Sequence, residues 1–170
     1  MRVLAYCDAR YEGATRQAAG GSARLVVAPP ARVADWLMLR PETFGLLYFN
    51  FHAVPGMAAW LTTTGDTALT AADLAGLDLS RAVVYMVNCY AGGGMLDALR
   101  RACPRAIIGG EGENLGALNG LAGADLLGQW VRRALAVGLS PRAALGVAKL
   151  RLQAGAKTAS AKDALDFRVL

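Results

Sequence analysis

The chain has 170 residues, of which 55% are hydrophobic and 18% are charged. This composition excludes a disordered polypeptide, because such chains have too little apolar surface to offset their conformational entropy. No window of about 18–20 residues is apolar without charge, so we expect no membrane association. The net charge of +5 is mild and its cations are scattered, which argues against nucleic acid as a partner. Because a length of 170 residues is typical of one domain, we expect a single domain over residues 1–170.

The first half of the chain alternates short apolar runs with amphipathic stretches. The apolar runs predict strands at residues 2–6, 24–28, 45–51 and 59–63. A short helix is predicted at residues 31–39. Thr70 and Asp73 form a capping box that predicts the start of a second helix over residues 71–77.

The second half continues the alternation. Residues 82–87 and 106–108 read as buried strands, and a helix is predicted between the glycine turn at 92–94 and Cys103. Further helices are predicted from residue 121 to 138 and, after the Ser140-Pro141 cap, to about residue 153. Residues 154–162 read as a loop and 165–170 as a last edge strand. This order predicts a mostly parallel α/β sheet with helices on both faces.

Three cysteines, Cys7, Cys89 and Cys103, stand at wide spacings that match neither a disulfide framework nor a metal-binding knuckle. The amino-terminal residues enter a strand directly, without signal-peptide features. We therefore expect a reducing, cytoplasmic location, with neither a metal nor a cofactor. Cys7 and Cys103 are expected to be small buried hydrophobic residues.

Two predicted strands end in residues that can carry chemistry. His52, the chain's only histidine, follows strand 45–51, and Cys89 follows strand 82–87. Catalytic groups of parallel sheets gather at the carboxyl ends of strands, so neighbouring strands would bring these two side by side. Imidazole titrates near neutral pH and activates a thiol nucleophile. The glycine turn at 92–94 leads into a helix start, which stabilises a thiolate and offers N–H groups to an oxyanion.

The order strand–His, about forty residues, strand–Cys–x–x–Gly resembles the caspase-like (clan CD) cysteine peptidases. That clan includes caspases, metacaspases, gingipains, separase and the CHAT domains. Residues 88–93 are similar to the clan's cysteine turn. Residues 69–74, 134–152 and 164–170 are similar to segments of CHAT-domain proteases in particular. The resemblance covers about residues 44–170.

The resemblance implies a three-layer caspase-like (caspase–haemoglobinase) fold and a bacterial-type cysteine endopeptidase. Cys89 would attack the peptide carbonyl, and His52 would protonate the leaving amine and then activate water. The backbone N–H groups of Ala53 and Cys89 would bind the oxyanion. Relatives usually carry glycine after the histidine, whereas Ala53 resists the positive φ that glycine accepts. The expected partners are a protein or peptide substrate and, for such a minimal module, a separate activator or sensor protein.

Three carboxylates are candidates for a pocket that accepts a basic side chain. Asp8 follows the first strand, and Glu111 and Glu113 follow strand 106–108, so all three belong to the same sheet edge. The alternative interpretation is that each is a loop carboxylate facing water.

Two other functions stay open at this point. An inactive caspase-like module would keep the fold as a binding or scaffold domain, a hypothesis motivated by Ala53. A small-ligand or nucleotide-binding domain would use the glycines at 92–94 or 109–112, although neither loop matches a phosphate-binding motif. The last strand, residues 165–170, also predicts homodimers that pair edge to edge.

Overall fold

The computed structural model describes residues 1–90, 94–114, 117, 120–155 and 164–170. The strands are β1 (Val3–Asp8), β2 (Arg24–Ala28), β3 (Leu46–Asn50), β4 (His52–Ala53), β5 (Ala59–Leu61), β6 (Thr67–Thr70), β7 (Val83–Met86), β8 (Ala106–Gly109) and β9 (Arg168–Val169). The helices are α1 (Glu12–Ala19), α2 (Val33–Met38), α3 (Gly94–Arg101), α4 (Gly123–Ala136) and α5 (Pro141–Gly155). Single 3-10 turns lie at Ala9–Tyr11, Pro41–Thr43, Ala72–Leu74 and Ala164–Asp166.

The described residues form two sheets. The central sheet has the strand order β2-β1-β3-β7-β8-β9, in which the first five strands are parallel and β9 runs antiparallel to β8. Strands β4, β5 and β6 form a separate antiparallel sheet, called here the hairpin sheet. The predicted mostly parallel sheet is confirmed. The expectation of edge-to-edge homodimers stays a prediction.

The central sheet is buried on both faces. Every residue of β1, β3, β7 and β8 is buried, which is why these strands read as continuous apolar runs. Side chains alternate between the two faces, so Phe49 packs with α2, α3 and the hairpin sheet, while Tyr48 packs with α1, α4 and α5. The result is three layers, with the sheet in the middle.

Helix α4 packs unusually close to the central sheet. A Cβ atom placed on Gly128 would lie 2.7 Å from Tyr85 and 2.8 Å from Tyr48. The two rings stack with centroids 5.3 Å apart. Their hydroxyls hold the first turn of α4, because Tyr48 donates to Asp125 at 3.1 Å and Tyr85 donates to the Ala124 carbonyl at 2.6 Å. None of the described helices is both long and apolar enough to span a bilayer.

Several predicted elements differ from the structure. The strand predicted at 59–63 is the shorter β5, and its hairpin partner β6 was not predicted, nor was α1. Thr70 and Asp73 exchange the predicted bonds, with Thr70 N donating to Asp73 Oδ2 at 2.7 Å and Asp73 N donating to Thr70 Oγ1 at 3.3 Å. They cap only a 3-10 turn, because the chain becomes extended at Ala75. Most of the loop predicted at 154–162 lies outside the described residues.

Candidate active site

His52 and Cys89 lie at matching positions just beyond the ends of two neighbouring strands of the central sheet. Phe49 of β3 lies opposite Met86 of β7, and each candidate follows its strand residue by three positions. The pairing continues past the strand ends, since Val87 N donates to the Phe49 carbonyl at 2.9 Å. The fold therefore brings both residues to one edge of the sheet, where catalytic groups of parallel sheets gather.

A side-chain bond holds the two strand ends together beyond the last backbone pair. The backbone N–H of Phe51 donates to Asn88 Oδ1 at 3.3 Å. Phe51 and Asn88 immediately precede His52 and Cys89, and both are buried. This bond therefore links the segments that carry the two candidates.

His52 belongs to the hairpin sheet and is half-buried there, opposite Leu61. The Tyr11 hydroxyl lies 3.1 Å from His52 Nε2, and the ring centroids are 5.7 Å apart. Burial raises the pKa of Tyr11, so its hydroxyl stays protonated at neutral pH and can donate to or accept from Nε2. With Nε2 engaged, Nδ1 is the ring nitrogen left to exchange a proton with the sulfur or a substrate.

Cys89 is half-buried, and its sulfur faces the backbone of Asn114. Asn114 N–H donates to Sγ at 3.2 Å, and the thiol donates to the Asn114 carbonyl at 3.2 Å. The sulfur is therefore engaged both as an acceptor and as a donor. Asn114 is fixed in turn, because its side-chain amide donates to the Asn88 carbonyl at 3.0 Å.

The residue after Cys89 has a left-handed backbone. Tyr90 has φ +49°, a conformation that costs an L-residue roughly 1–2 kcal/mol. Two bonds oppose that cost: Tyr90 N donates to the Gly112 carbonyl at 2.9 Å, and its hydroxyl donates to Glu113 Oε1 at 2.7 Å. The loops after β7 and β8 are thereby joined beside Cys89.

The three predicted pocket carboxylates are not equivalent. Asp8 is 1% exposed, and its oxygens accept bonds from Thr63 N at 2.6 Å, Arg10 N at 2.7 Å and the Thr63 hydroxyl at 3.2 Å. This burial and bonding correct the expectation that Asp8 lines a pocket, because its carboxylate fastens the β5–β6 turn to the end of β1. Glu111 forms an exposed ion pair with Arg168 at 3.4 Å.

Glu113 alone of the three is joined to the surroundings of Cys89. It is exposed, and it directly precedes the residue whose backbone meets the sulfur. Its carboxylate accepts the Tyr90 hydroxyl described above. Within the described ranges, no group of three or more His, Cys, Asp or Glu side chains is arranged to hold a metal ion.

Ala53 lies in β4 opposite Trp60. The described non-glycine residues with positive φ are Arg40, Tyr90 and Cys103, so Ala53 carries no left-handed strain in place of glycine. Cys7 is buried as expected, whereas Cys103 is exposed, because it lies in the left-handed turn between α3 and β8. The predicted glycine turn lies partly outside the described residues, since only its last glycine, at the start of α3, belongs to them.

Tyr11 and Asn114 were missed by sequence reasoning. Tyr11 follows β1, and Cys7 of β1 lies opposite Asn50 of β3, so the two strands end at the same edge. His52 was a candidate because catalytic groups gather at the carboxyl ends of parallel strands. The same reasoning applied to Tyr11. Asn114 acts mainly through its backbone, which leaves no signature in side-chain chemistry.

Comparison with known proteins shows which fold this is. No family model matches the chain, and no curated protein matches it. Among solved structures, the chain is similar to the complex of Porphyromonas gingivalis RgpB pro- and mature domains, with 13% sequence identity and a TM-score of 0.66. The match covers 97% of this chain and 45% of that one, so the chain spans less than half of its length.

At this identity the similarity establishes the fold and leaves the closer kinship to CHAT proteins a prediction. RgpB is a gingipain with a caspase-like cysteine protease fold, and the mostly parallel sheet with helices described above is consistent with that fold. The chain therefore has a caspase-like α/β fold, with a mostly parallel sheet between two layers.

Proposed function

We propose that this chain is a cysteine endopeptidase that hydrolyses peptide bonds in a protein substrate through Cys89 and His52. The observation that carries the proposal is their matching position, three residues beyond the paired Phe49 and Met86. The likeness of fold to a cysteine protease supports hydrolysis as the class of reaction. A reducing compartment, the predicted cytoplasm, keeps the nucleophile in its thiol form.

In the first half of the reaction the Cys89 thiolate attacks the carbonyl carbon of the scissile bond. The electrons of the C=O bond move to oxygen, and the N–H groups of Ala53 and Cys89 are the proposed donors to that oxyanion. When the oxyanion collapses, the C–N bond breaks and protonated His52 gives its proton to the leaving amine. The product is a thioester on Cys89 and a free amino terminus.

In the second half a water molecule attacks the thioester while His52, now neutral, accepts one of its protons. The C–S bond breaks, the thiolate leaves, and the second peptide is released with a new carboxyl terminus. Neither half requires a metal or a cofactor. Tyr11 acts as a positioning residue, because its hydroxyl holds Nε2 and directs proton exchange to Nδ1.

For the substrate we propose a basic side chain beside the scissile bond. Glu113 supports this assignment, because its exposed carboxylate is joined through Tyr90 to the residue next to the nucleophile. Glu111 belongs to the same loop and is paired with exposed Arg168, an ion pair that contributes little and is readily exchanged.

The proposal is tested with Cys89→Ala and His52→Ala. Both variants are expected to abolish cleavage in a fluorogenic peptide library and to change the free energy of unfolding by less than about 1–2 kcal/mol. The matched control is Cys103→Ala, which removes an exposed thiol in the turn before β8, at the amino ends of the parallel strands, and is expected to keep full activity. Residual cleavage by Cys89→Ala would overturn the assignment of the nucleophile.

A second candidate is a catalytically inactive caspase-like module that binds other proteins. The observation that favours it is the hydrogen bond from the Cys89 thiol to the Asn114 carbonyl, because this bond engages the proton that His52 would have to remove. Iodoacetamide labelling of the three cysteines, measured by peptide mass, separates the two functions. The peptidase predicts that Cys89 reacts faster than exposed Cys103 and slows in His52→Ala. The inactive module predicts neither effect.

A further inference from the structure

A groove of about 300 Å³ lies between α4 and α5, outside the candidate active site. Its lining includes Trp130, Arg133, Val137, Val147 and Arg151, and it is called here the Trp130 groove. Its volume is at the lower end of small-ligand sites, roughly 300–1,000 Å³. No carboxylate belongs to its lining.

Two guanidinium groups are held on the Trp130 ring. The Cζ atoms of Arg133 and Arg151 each lie 4.6 Å from the ring centroid, a cation–π distance. Neither arginine forms an ion pair with another described residue. A stacked guanidinium keeps its N–H groups at its edge, where they match a carboxylate in bidentate geometry. The Trp130 ring thus holds two guanidinium groups at the groove, where both can pair with an anion.

The groove is also apolar. Two of its lining residues, Val137 and Val147, are 79% and 40% exposed. Two exposed valines in one groove offer an apolar surface to a partner side chain, unlike exposed hydrophobic residues that are scattered singly.

The charged residues that line the groove, Arg133 and Arg151, are both positive. The two helices carry Arg132, Arg133, Arg142, Lys149 and Arg151, and their only acidic residue, Asp125, is buried. Arg133 and Arg151 therefore have no acidic neighbour on the surface of their own helices.

We propose that the Trp130 groove binds an acidic peptide segment of a partner protein. An aliphatic side chain of the segment lies against Val137 and Val147, and its flanking carboxylates pair with Arg133 and Arg151. Nucleic acid fits less well, because a phosphate gains nothing from the valines and the Trp130 ring is already engaged by two guanidinium groups. The proposal does not depend on peptidase activity.

The test uses a fluorescein-labelled peptide of twelve residues that alternates Asp or Glu with Leu. Fluorescence anisotropy at low salt measures its binding to the full chain, beside a peptide with Lys for each acid and one with Ser for each Leu. We expect saturable binding of the acidic Leu peptide, at least tenfold weaker binding of the Ser peptide and none of the Lys peptide. No saturable binding of the acidic Leu peptide up to about 1 mM would overturn the proposal.

Tryptophan fluorescence supplies a local readout. Trp36 is 0% exposed and Trp60 is 1% exposed, so acrylamide quenching reports on Trp130, the third and last tryptophan. The bound peptide is expected to protect Trp130 from acrylamide. Quenching that is unchanged at saturation would show that the peptide binds elsewhere.

Charge reversal tests whether Arg133 and Arg151 form the peptide-binding site. Arg133→Glu with Arg151→Glu is expected to weaken binding at least tenfold. The matched control, Arg142→Glu with Arg101→Glu, changes the net charge equally at exposed positions outside the groove and is expected to bind within twofold of the wild type. Circular dichroism and thermal melting establish that both double variants are folded.

Three further results would overturn the proposal. The first is equal weakening by the two double variants, which would mean that only net charge matters. The second is displacement of the peptide by a single-stranded oligonucleotide of equal charge at a lower concentration, which would identify a nucleic-acid surface. The third is a concentration-dependent dimer in sedimentation that Arg133→Glu with Arg151→Glu abolishes, which would identify a second copy of the chain as the occupant.

Discussion

The hydroxyl oxygen of Tyr11 lies 3.1 Å from Nε2 of His52. The contact joins the segment after β1 to the first strand of the hairpin sheet, across 41 positions of sequence. A phenol is both donor and acceptor, so the bond persists whether the imidazole is neutral or charged. The imidazole is thereby held in one orientation through every step of the proposed reaction.

Tyr11→Phe keeps the ring and removes that bond. We expect kcat to fall about tenfold with KM unchanged, a part of the 10²–10⁴-fold that a positioned acid–base group contributes. Steady-state kinetics on the best library peptide measures this split. A rise in KM with kcat unchanged would instead assign Tyr11 to substrate binding.

An activity-independent control uses the fact that His52 is the chain's only histidine. Its ring nitrogens therefore give one set of imidazole resonances in nitrogen-15 NMR. The proportion of the two neutral tautomers is expected to change in Tyr11→Phe and to stay unchanged in Tyr90→Phe, whose hydroxyl faces Glu113. An unchanged proportion in Tyr11→Phe would mean that the hydroxyl does not orient the ring.

Asp8→Asn tests the structural role of the buried carboxylate. An amide has one acceptor oxygen, and its NH₂ group would face the N–H of Thr63 or Arg10. We expect the free energy of unfolding in urea to fall by about 1–3 kcal/mol. The control Asp66→Asn changes an exposed carboxylate near the same turn and is expected to stay within about 0.5 kcal/mol. Unchanged stability in Asp8→Asn, together with a changed substrate preference, would show that Asp8 contributes to the substrate pocket.

Asp125 makes stability depend on pH. Burial raises the pKa of Asp125 to about 6, while Tyr48 donates to the carboxylate and partly opposes the shift. The unfolded value is about 3.9, so between pH 4 and pH 6 the folded state binds more protons than the unfolded state. The free energy of unfolding therefore falls as pH rises through this window.

Asp125→Asn removes this dependence and keeps the acceptor for Tyr48. At pH 7 the variant is expected to be more stable than the wild type by about 1–2 kcal/mol, and near pH 4 the difference is expected to vanish. Urea unfolding at both pH values checks the result, and other titrating groups cancel in the comparison. A variant less stable than the wild type at pH 7 would mean that the charged form is favoured in the core.

The same glycine-to-alanine change is expected to have opposite signs in α4 and α5. At Gly128 the added methyl group meets Tyr48 and Tyr85 at 2.7–2.8 Å, so overpacking costs about 1–3 kcal/mol. At Gly146 nothing lies within 4 Å, so the higher helix propensity of alanine adds about 1 kcal/mol. Thermal melting of both variants checks the signs. A stabilised Gly128→Ala would show that α4 does not pack closely on the two rings.

Elements that are buried on both faces were easier to predict from the sequence than elements that are partly exposed. Strands such as β3 and β7 are covered on both faces, so hydrophobic runs revealed them. Helix α1 buries only Ala14, Thr15, Ala18 and Ala19, small residues that produce a weak apolar stripe. Of the hairpin sheet only β5 was predicted, because its strands have two to four residues and mixed exposure.

The candidate site was predictable where a side chain of distinctive chemistry ends a central strand. His52 and Cys89 met that condition. Asp8 met the same condition, yet its carboxylate accepts the N–H of Thr63 and does not line a pocket. The direction of a side chain at a strand end depends on tertiary packing, which the sequence pattern does not reveal. Asn114 was beyond prediction from side-chain chemistry, since it meets the sulfur through its peptide group.

The parts of the site are dispersed along the chain, and this sets the order in which they exist during synthesis. Tyr11 and His52 are made early, Cys89 follows, and the backbone of Asn114 arrives last. A nascent chain that has passed Cys89 but not β8 carries the nucleophile without the peptide group that meets its sulfur. The thiol thus acquires its surroundings only when the second half of the sheet is in place, so the proposed activity requires synthesis to have passed Asn114.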